Sequence, residues 1–230
     1  MTDVNTALHA DAARPSRREQ ILRAAAQLFA ERGSRAVGVD DVGAAVGVTG
    51  PAIYRHFASK DAMLAEMLLR ISERLLEGGT ARVAAAGDDP LAQLRTLIAF
   101  QVDFALDNPA LITVHDRDLG SLADDDAAQV RRLQRRYVEV WVEVLGRVHP
   151  ESDAATSRAR AHAVFGLVNS TPHSAGRLPR RRMAALLAAS LRAVRRTGSF
   201  FRWWRRPRPW RRAARPSVGG AAARRCAAWS

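Results

Sequence analysis

The side chains that could carry chemistry in this chain are basic rather than nucleophilic. Residues 14–60 hold eight basic side chains and four acidic ones, a local excess of positive charge on a short segment. Such an excess can neutralise the phosphates of a nucleic acid, although the solvated face of any domain can show the same balance. This segment is therefore the first candidate for a functional surface.

The usual sequence patterns of enzymes and metal sites do not occur. GxSxG, GxxxxGK[ST] and HExxH are all missing. His115, His162 and His173 come without the spacing or the clustered cysteines of a zinc site, which favours ordinary surface or core positions. The single cysteine, Cys226, cannot form an internal disulfide. We expect a protein that is not an enzyme and uses no metal or cofactor.

The net charge of +13 is unevenly distributed along the 230 residues. Residues 195–230 hold 11 arginines and no acid, whereas residues 1–194 carry 25 basic and 23 acidic side chains. No run of about 18 apolar residues occurs, and the start lacks the charged-then-apolar layout of a secretory signal. We therefore expect a cytoplasmic protein without a membrane span.

The end of the chain, residues 199–230, is rich in arginine and tryptophan and has no helical period. Three interpretations stay open: a disordered or frame-shifted extension, an auxiliary clamp for nucleic acid, or a segment that lies on a membrane surface. The last two supply the alternative function for the whole chain, which is non-specific binding through this tail.

Two longer helices are predicted around the basic segment. Ser16 and Glu19 form a capping box, and apolar residues then recur at helical spacing until Gly33. Ser59 caps a second helix, which we expect to run toward the pair Gly78-Gly79.

The rest of the chain also has helical patterns and no convincing strand. Asp89-Pro90 and Asn108-Pro109 each place a capping side chain before a proline at the first helical position. Further helices are predicted from about Asp124, over residues 153–170, and from Pro179 to near Arg196. The expected fold is all-α, with about nine helices joined by short loops.

Two short helices between the longer ones have the spacing of a helix-turn-helix. The first covers residues 39–46, the turn is Gly47-Val48-Thr49, and the second covers residues 51–57. The strings LFAERG, AVGV, TGPAIYRHF and SKDAML, within residues 16–75, closely resemble the TetR family of bacterial transcription regulators. The resemblance implies a DNA-binding regulator that acts as a homodimer on a palindromic operator and is most often a repressor.

The resemblance also implies contacts with the DNA backbone. Tyr54 and His56 occupy positions that touch phosphates beside the major groove, and Lys60 occupies the position that grips a phosphate from the next helix. Thr49 is expected to cap the recognition helix and contact a phosphate.

Base-edge contacts are expected from the head of the recognition helix, at Gly50, Pro51, Ala52 and Arg55. The small residues imply apolar or close-backbone readout rather than paired hydrogen bonds, with Arg55 as the exception.

Two glycines depart from the family pattern. Gly38 stands where the family often has threonine, which removes one expected phosphate contact. Gly43 stands inside a helix where the family often has alanine, and such a glycine costs about 0.5–1 kcal/mol.

The predicted organisation has four parts: an arm over residues 1–15, the helix-turn-helix domain over residues 16–60, an effector-binding and dimerisation domain over residues 61–198, and the tail over residues 199–230. In the third part, an elongated and mostly apolar cavity is expected to bind a small hydrophobic effector, although the same aromatic residues could form plain core. The candidate lining residues are Phe100, Phe104, Tyr137, Trp141, Phe165 and Asn169. The helices over 153–170 and 179–196 are expected to pair the subunits.

Overall fold

The computed structural model describes residues 15–174 and 178–194, and all regular structure in them is helical. The fold prediction is confirmed, with one extra four-residue helix, α9. The predicted tail, and the arm apart from Pro15, lie outside the described residues. The helices are α1 Arg17–Arg32, α2 Val39–Ala45, α3 Gly50–Ile53, α4 Lys60–Ala85, α5 Pro90–Asp107, α6 Pro109–Asp118, α7 Asp124–Val148, α8 Ala154–Asn169, α9 Thr171–Ser174 and α10 Arg180–Val194.

The helix starts follow the capping side chains of the sequence. The Ser16 hydroxyl accepts a hydrogen bond from the Glu19 N–H at 3.2 Å, and the Glu19 carboxylate accepts one from the Ser16 N–H at 2.8 Å, which completes the predicted capping box. The side chains of Ser59 and Asp89 cap α4 and α5. Each accepts one hydrogen bond from a backbone N–H group, at 3.0 Å and 2.9 Å respectively.

The sequence predicted a helix that runs toward the pair Gly78-Gly79, but α4 does not end there. The helix continues to Ala85, and each glycine accommodates an aromatic ring on its surface. A Cβ atom on Gly78 would lie 2.5 Å from Cζ of Phe100, and one on Gly79 would lie 2.5 Å from Cε2 of Tyr137. The glycines therefore permit close packing of α4 against α5 and α7.

Two apolar clusters form the interior. The first contains residues of α1 to α4, among them Phe29 and Leu68, and is completed by Val114 of α6 and Val130 of α7. The second joins α5, α7, α8 and α10 around the fully buried Trp141. Because residues of α6 and α7 complete the first cluster, the helix-turn-helix is packed against these two helices.

Among the described residues, no single helix has both the length and the apolar composition needed to cross a bilayer.

Candidate DNA interface and effector cavity

The turn between α2 and α3 depends on two glycines. Gly47 has a φ of +70°, in the left-handed region that glycine adopts without strain. Gly43, inside α2, accepts a hydrogen bond from the Val48 N–H at 2.9 Å, and a Cβ atom at Gly43 would lie only 2.8 Å from the Val48 carbonyl oxygen. A glycine at position 43 is expected to make α2 less rigid. It also allows the chain at Val48 to approach α2 closely, which a larger residue would hinder.

The recognition segment, residues 49–57, contains a shorter helix than predicted. α3 ends at Ile53, and the chain continues as a turn in which the N–H groups of His56 and Phe57 donate to the Ile53 carbonyl at 2.8 Å and 3.0 Å. Thr49 makes no side-chain cap, which corrects our expectation. Pro51 has no N–H to offer, and the Ala52 N–H donates instead to the Thr49 carbonyl at 3.0 Å.

Exposure separates the residues of this segment into two groups. Ile53 and Phe57 are buried in the first apolar cluster and fix the segment to the domain. The side chain of Tyr54 is 56% exposed, which excludes a role as a core aromatic residue. The other predicted DNA-contacting residues, except Gly50, are at least partly exposed, namely Thr49, Pro51, Ala52, Arg55, His56 and Lys60.

Gly50 is buried, unlike its neighbours in the predicted set. A Cβ atom there would lie 1.9 Å from a carboxylate oxygen of Asp40 in α2. An added side chain would therefore require the exposed Asp40 carboxylate to move. A side chain at this position would meet α2 first, so a contact of Gly50 with bases stays a prediction.

Arg18 joins three parts of the domain. Its guanidinium forms an ion pair with Glu66 of α4, donates to the carbonyl of His56, and lies 4.3 Å from the centre of the Phe57 ring. The hydrogen bond with Arg18 lowers the pKa of Glu66, and Arg70 contributes to the same shift. Arg18, one of the eight basic residues of the segment 14–60, therefore holds the recognition segment in place.

A cavity of about 650 Å³ is lined by residues of α4, α5, α6, α7 and α8. Its apolar wall includes Ile71 and Leu75 of α4, Phe104 of α5 and Ile112 of α6. Cavities of this size are typical of small-molecule sites.

The cavity contains four of the six predicted lining residues, Phe104, Tyr137, Phe165 and Asn169. Trp141 is not at the surface of the cavity, because it packs behind the wall with its ring centre 5.4 Å from that of Phe165. Phe100 is also outside it, since its ring packs on Gly78 and lies 4.0 Å below the guanidinium of Arg82. The structure therefore places these two predicted residues outside the lining of this cavity.

Polar groups around the cavity are more numerous than the sequence suggested. Inside, the buried Tyr137 hydroxyl donates to Gln101 at 2.9 Å, and burial raises the pKa of this phenol. The remaining polar lining residues, which helical periodicity alone could not assign to the cavity, are Ser72, His115, Arg131, Gln134, Arg135, Glu139, Arg158 and His162. In the described part of the chain, no group of three or more metal-ligating side chains comes together.

Helix α6 connects the cavity with the DNA-facing end. Ile112 and His115 line the cavity, while Arg117 donates to the carbonyls of Phe29 and Ala30 at the end of α1. The next residue, Asp118, is buried and accepts from the Ser34 hydroxyl at 2.9 Å and from Arg117 at 3.1 Å. A displacement of α6 by a ligand would therefore act directly on α1.

The class defined by this arrangement is a helix-turn-helix protein with a separate cavity. Residues 21–67 match the family described as bacterial regulatory proteins, tetR family, and residues 87–194 match the tetracyclin repressor-like C-terminal domain. Together the two matches cover more than half of the chain. The chain belongs to the TetR family.

Named relatives agree with this assignment. The chain is 31% identical over 130 residues to the transcriptional repressor KstR2 of Rhodococcus jostii, a match that spans 56% of this chain and 63% of that protein. It is 30% identical to the transcriptional activator FasR of Mycolicibacterium smegmatis, over 67% of this chain and 68% of that protein. The crystal structure of the regulator PfmR of Thermus thermophilus has the same fold, with a TM-score of 0.69, 23% identity, and coverage of 80% and 97%.

Proposed function

We propose that the chain is a transcriptional repressor that binds a palindromic operator as a homodimer in the cytoplasm and is released by a small, mainly apolar effector. The observation that carries this proposal is the position of α6, which lines the cavity and bonds to α1 of the DNA-facing end. Through α6, the cavity is connected to α1, whose buried residues share the first apolar cluster with Ile53 and Phe57 of the recognition segment.

Base contacts of the operator are assigned to the exposed residues of the recognition segment, above all Pro51 and Arg55. The phosphate contacts are assigned to Thr49, Tyr54 and Lys60. Burial of Ile53 and Phe57 supports the assignment of Tyr54 and Arg55 as DNA contacts, since these two residues lie between the buried ones and are exposed.

Release by the effector requires that the ligand bind one arrangement of the molecule better than the other. The contacts of Arg117 and Asp118 with the α1 end make α6 the transmitting element. A ligand against Ile112 and His115 would shift α6, and with it the distance between the two recognition segments of a dimer.

The dimer is supported by exposed small residues on α8 and an exposed apolar residue on α10. On α8 the small residues are Ala155, Ala159, Ala163 and Gly166, which lie at helical spacing. On α10, Leu186 is 50% exposed although it is a large apolar residue. Small residues allow helices to approach closely, as a four-helix interface between two subunits requires.

The DNA-binding part is tested by selecting bound fragments from a random double-stranded library. We expect a palindromic consensus for the full chain and for a chain that ends at residue 198. Loss of all binding in the shorter chain would instead support the alternative, binding through the arginine-rich tail.

The dimer is tested by matched glycine substitutions. Gly166 of α8 and Gly146 of α7 both have open space where a Cβ atom would lie. Gly166→Glu should shift the sedimenting species from dimer to monomer, because it places two like charges in the interface, whereas Gly146→Glu should not. Dimers of equal stability in both variants would remove α8 from the interface.

A further inference from the structure

The cavity has a charged side that an entirely apolar effector would leave unused. Arg131, Arg135 and Glu139 follow one another at four-residue spacing on α7, so they form one stripe beside the apolar lining. Glu139 is neutralised by Arg158 of α8, with 2.8 Å between the charged atoms. No ion pair is present for Arg131 or Arg135 among residues 15–174 and 178–194.

The apolar part of the lining offers a different surface. Ile71, Leu75, Phe104 and Ile112 have side chains that contain only carbon and hydrogen. An apolar body against these residues and an anionic group at the two arginines would use both parts of the lining, since guanidinium groups form paired hydrogen bonds with carboxylates.

We propose that the cavity binds an amphiphile with an aliphatic body and a carboxylate, and that Arg131 and Arg135 hold the carboxylate. This inference rests on the proposed function, which gives the cavity an effector, and it adds the charge of that effector. The other ionisable groups that face the site are the two histidines of the lining, His115 and His162, the buried phenol of Tyr137, and the pair of Glu139 with Arg158.

The probes that test the charge are decanoate and 1-decanol, which share a chain length and differ in the anionic group. The test variant is the full chain with Arg131→Gln and Arg135→Gln. The control is the full chain with Arg132→Gln and Arg136→Gln, which removes the same charge from exposed positions of the same helix outside the cavity. Binding is measured by isothermal titration calorimetry at low and high salt.

We expect the wild type to bind decanoate at least about tenfold more tightly than decanol, which corresponds to ~1.4 kcal/mol. In the test variant the affinity for decanoate should fall while the affinity for decanol stays the same, so the preference is lost. The control should keep the preference. The preference should also weaken at high salt, because the arginines are exposed.

Equal affinity of the wild type for both probes would overturn the carboxylate assignment while leaving an apolar effector in place. An equal loss of preference in test and control variants would also overturn it, since long-range charge would then explain the effect. If neither probe binds, the proposed effector class fails as a whole. DNA selection reports on the regulator function independently of all these outcomes.

Discussion

The two ends of the described chain use their cations differently. At the DNA-facing end, Arg18 is bound to Glu66 and to the carbonyl of His56, and its role is to fix the backbone of the recognition segment. At the cavity, Arg131 and Arg135 surround open space beside an apolar wall. Arg18 thus stabilises the segment that presents side chains to DNA. Arg131 and Arg135, in contrast, have no ion pair within the described residues and are available to bind a ligand.

The largest expected effect comes from the junction between these ends. Asp118→Ala should lower the free energy of unfolding by about 2–3 kcal/mol, because it removes three hydrogen bonds and leaves the buried Ser34 hydroxyl without its partner. The exposed neighbour Asp116 provides the control, and Asp116→Ala should cost less than about 0.5 kcal/mol. Urea titration compares the two variants, and equal losses would show that the junction adds no stability.

Arg18→Met should have the next largest effect, about 1–2 kcal/mol in unfolding free energy, since its ion pair is partly exposed. Operator binding should also weaken, because the recognition segment loses its anchor at His56. Arg23→Met, on the exposed side of the same helix, is the control. If both variants bound the operator like the wild type, Arg18 would not position the segment.

The ion pair of Arg18 also predicts a pH dependence. The pKa of Glu66 is lower in the folded protein than its ordinary value of 4.5, so the folded state binds fewer protons at this group. Its contribution is therefore complete above about pH 4.5 and is lost as the pH falls through the lowered pKa. The difference in unfolding free energy between wild type and Glu66→Gln should shrink over that interval, and a constant difference would contradict the assignment.

How much of each end could be predicted depends on the range of the interactions. The capping box at Ser16 and the helix-turn-helix spacing are local, so the sequence predicts them directly. The packing of Gly78 depends on Phe100, and that of Gly79 depends on Tyr137. Such contacts between distant segments have no signal in periodicity.

The cavity shows the same limit. Aromatic composition led to three of its residues, but whether a ring lines the space or packs behind it depends on the packing of several helices, as Trp141 shows. The arginines of the cavity resemble any solvated helix face in sequence, so only the arrangement of α7 beside α8 shows that they border the space.

The smallest effects concern single contacts with DNA. Lys60→Ala should reduce the slope of log affinity against log salt by about 0.9 per lost phosphate contact, and hence by about two in a dimer. Arg95→Ala, which removes a charge from α5, should leave the slope unchanged. Fluorescence anisotropy with operator and scrambled duplexes gives both slopes, and an unchanged slope for Lys60→Ala would exclude this contact.

Tyr54→Phe should cost about 0.5–1.5 kcal/mol per subunit in DNA affinity, because it removes one hydrogen bond and keeps the ring. The loss should be equal on operator and scrambled duplexes, since a phosphate contact carries no base information. A loss confined to the operator would move Tyr54 from the phosphate set to the base-reading set.

The central claim is that the cavity and the recognition segment are coupled, and the most direct measurement is operator affinity with and without saturating decanoate. The account predicts that the ligand weakens operator binding by at least about fivefold, and that operator DNA weakens ligand binding by the same factor, as linkage requires. Operator affinity that stays the same while decanoate demonstrably occupies the cavity would contradict it.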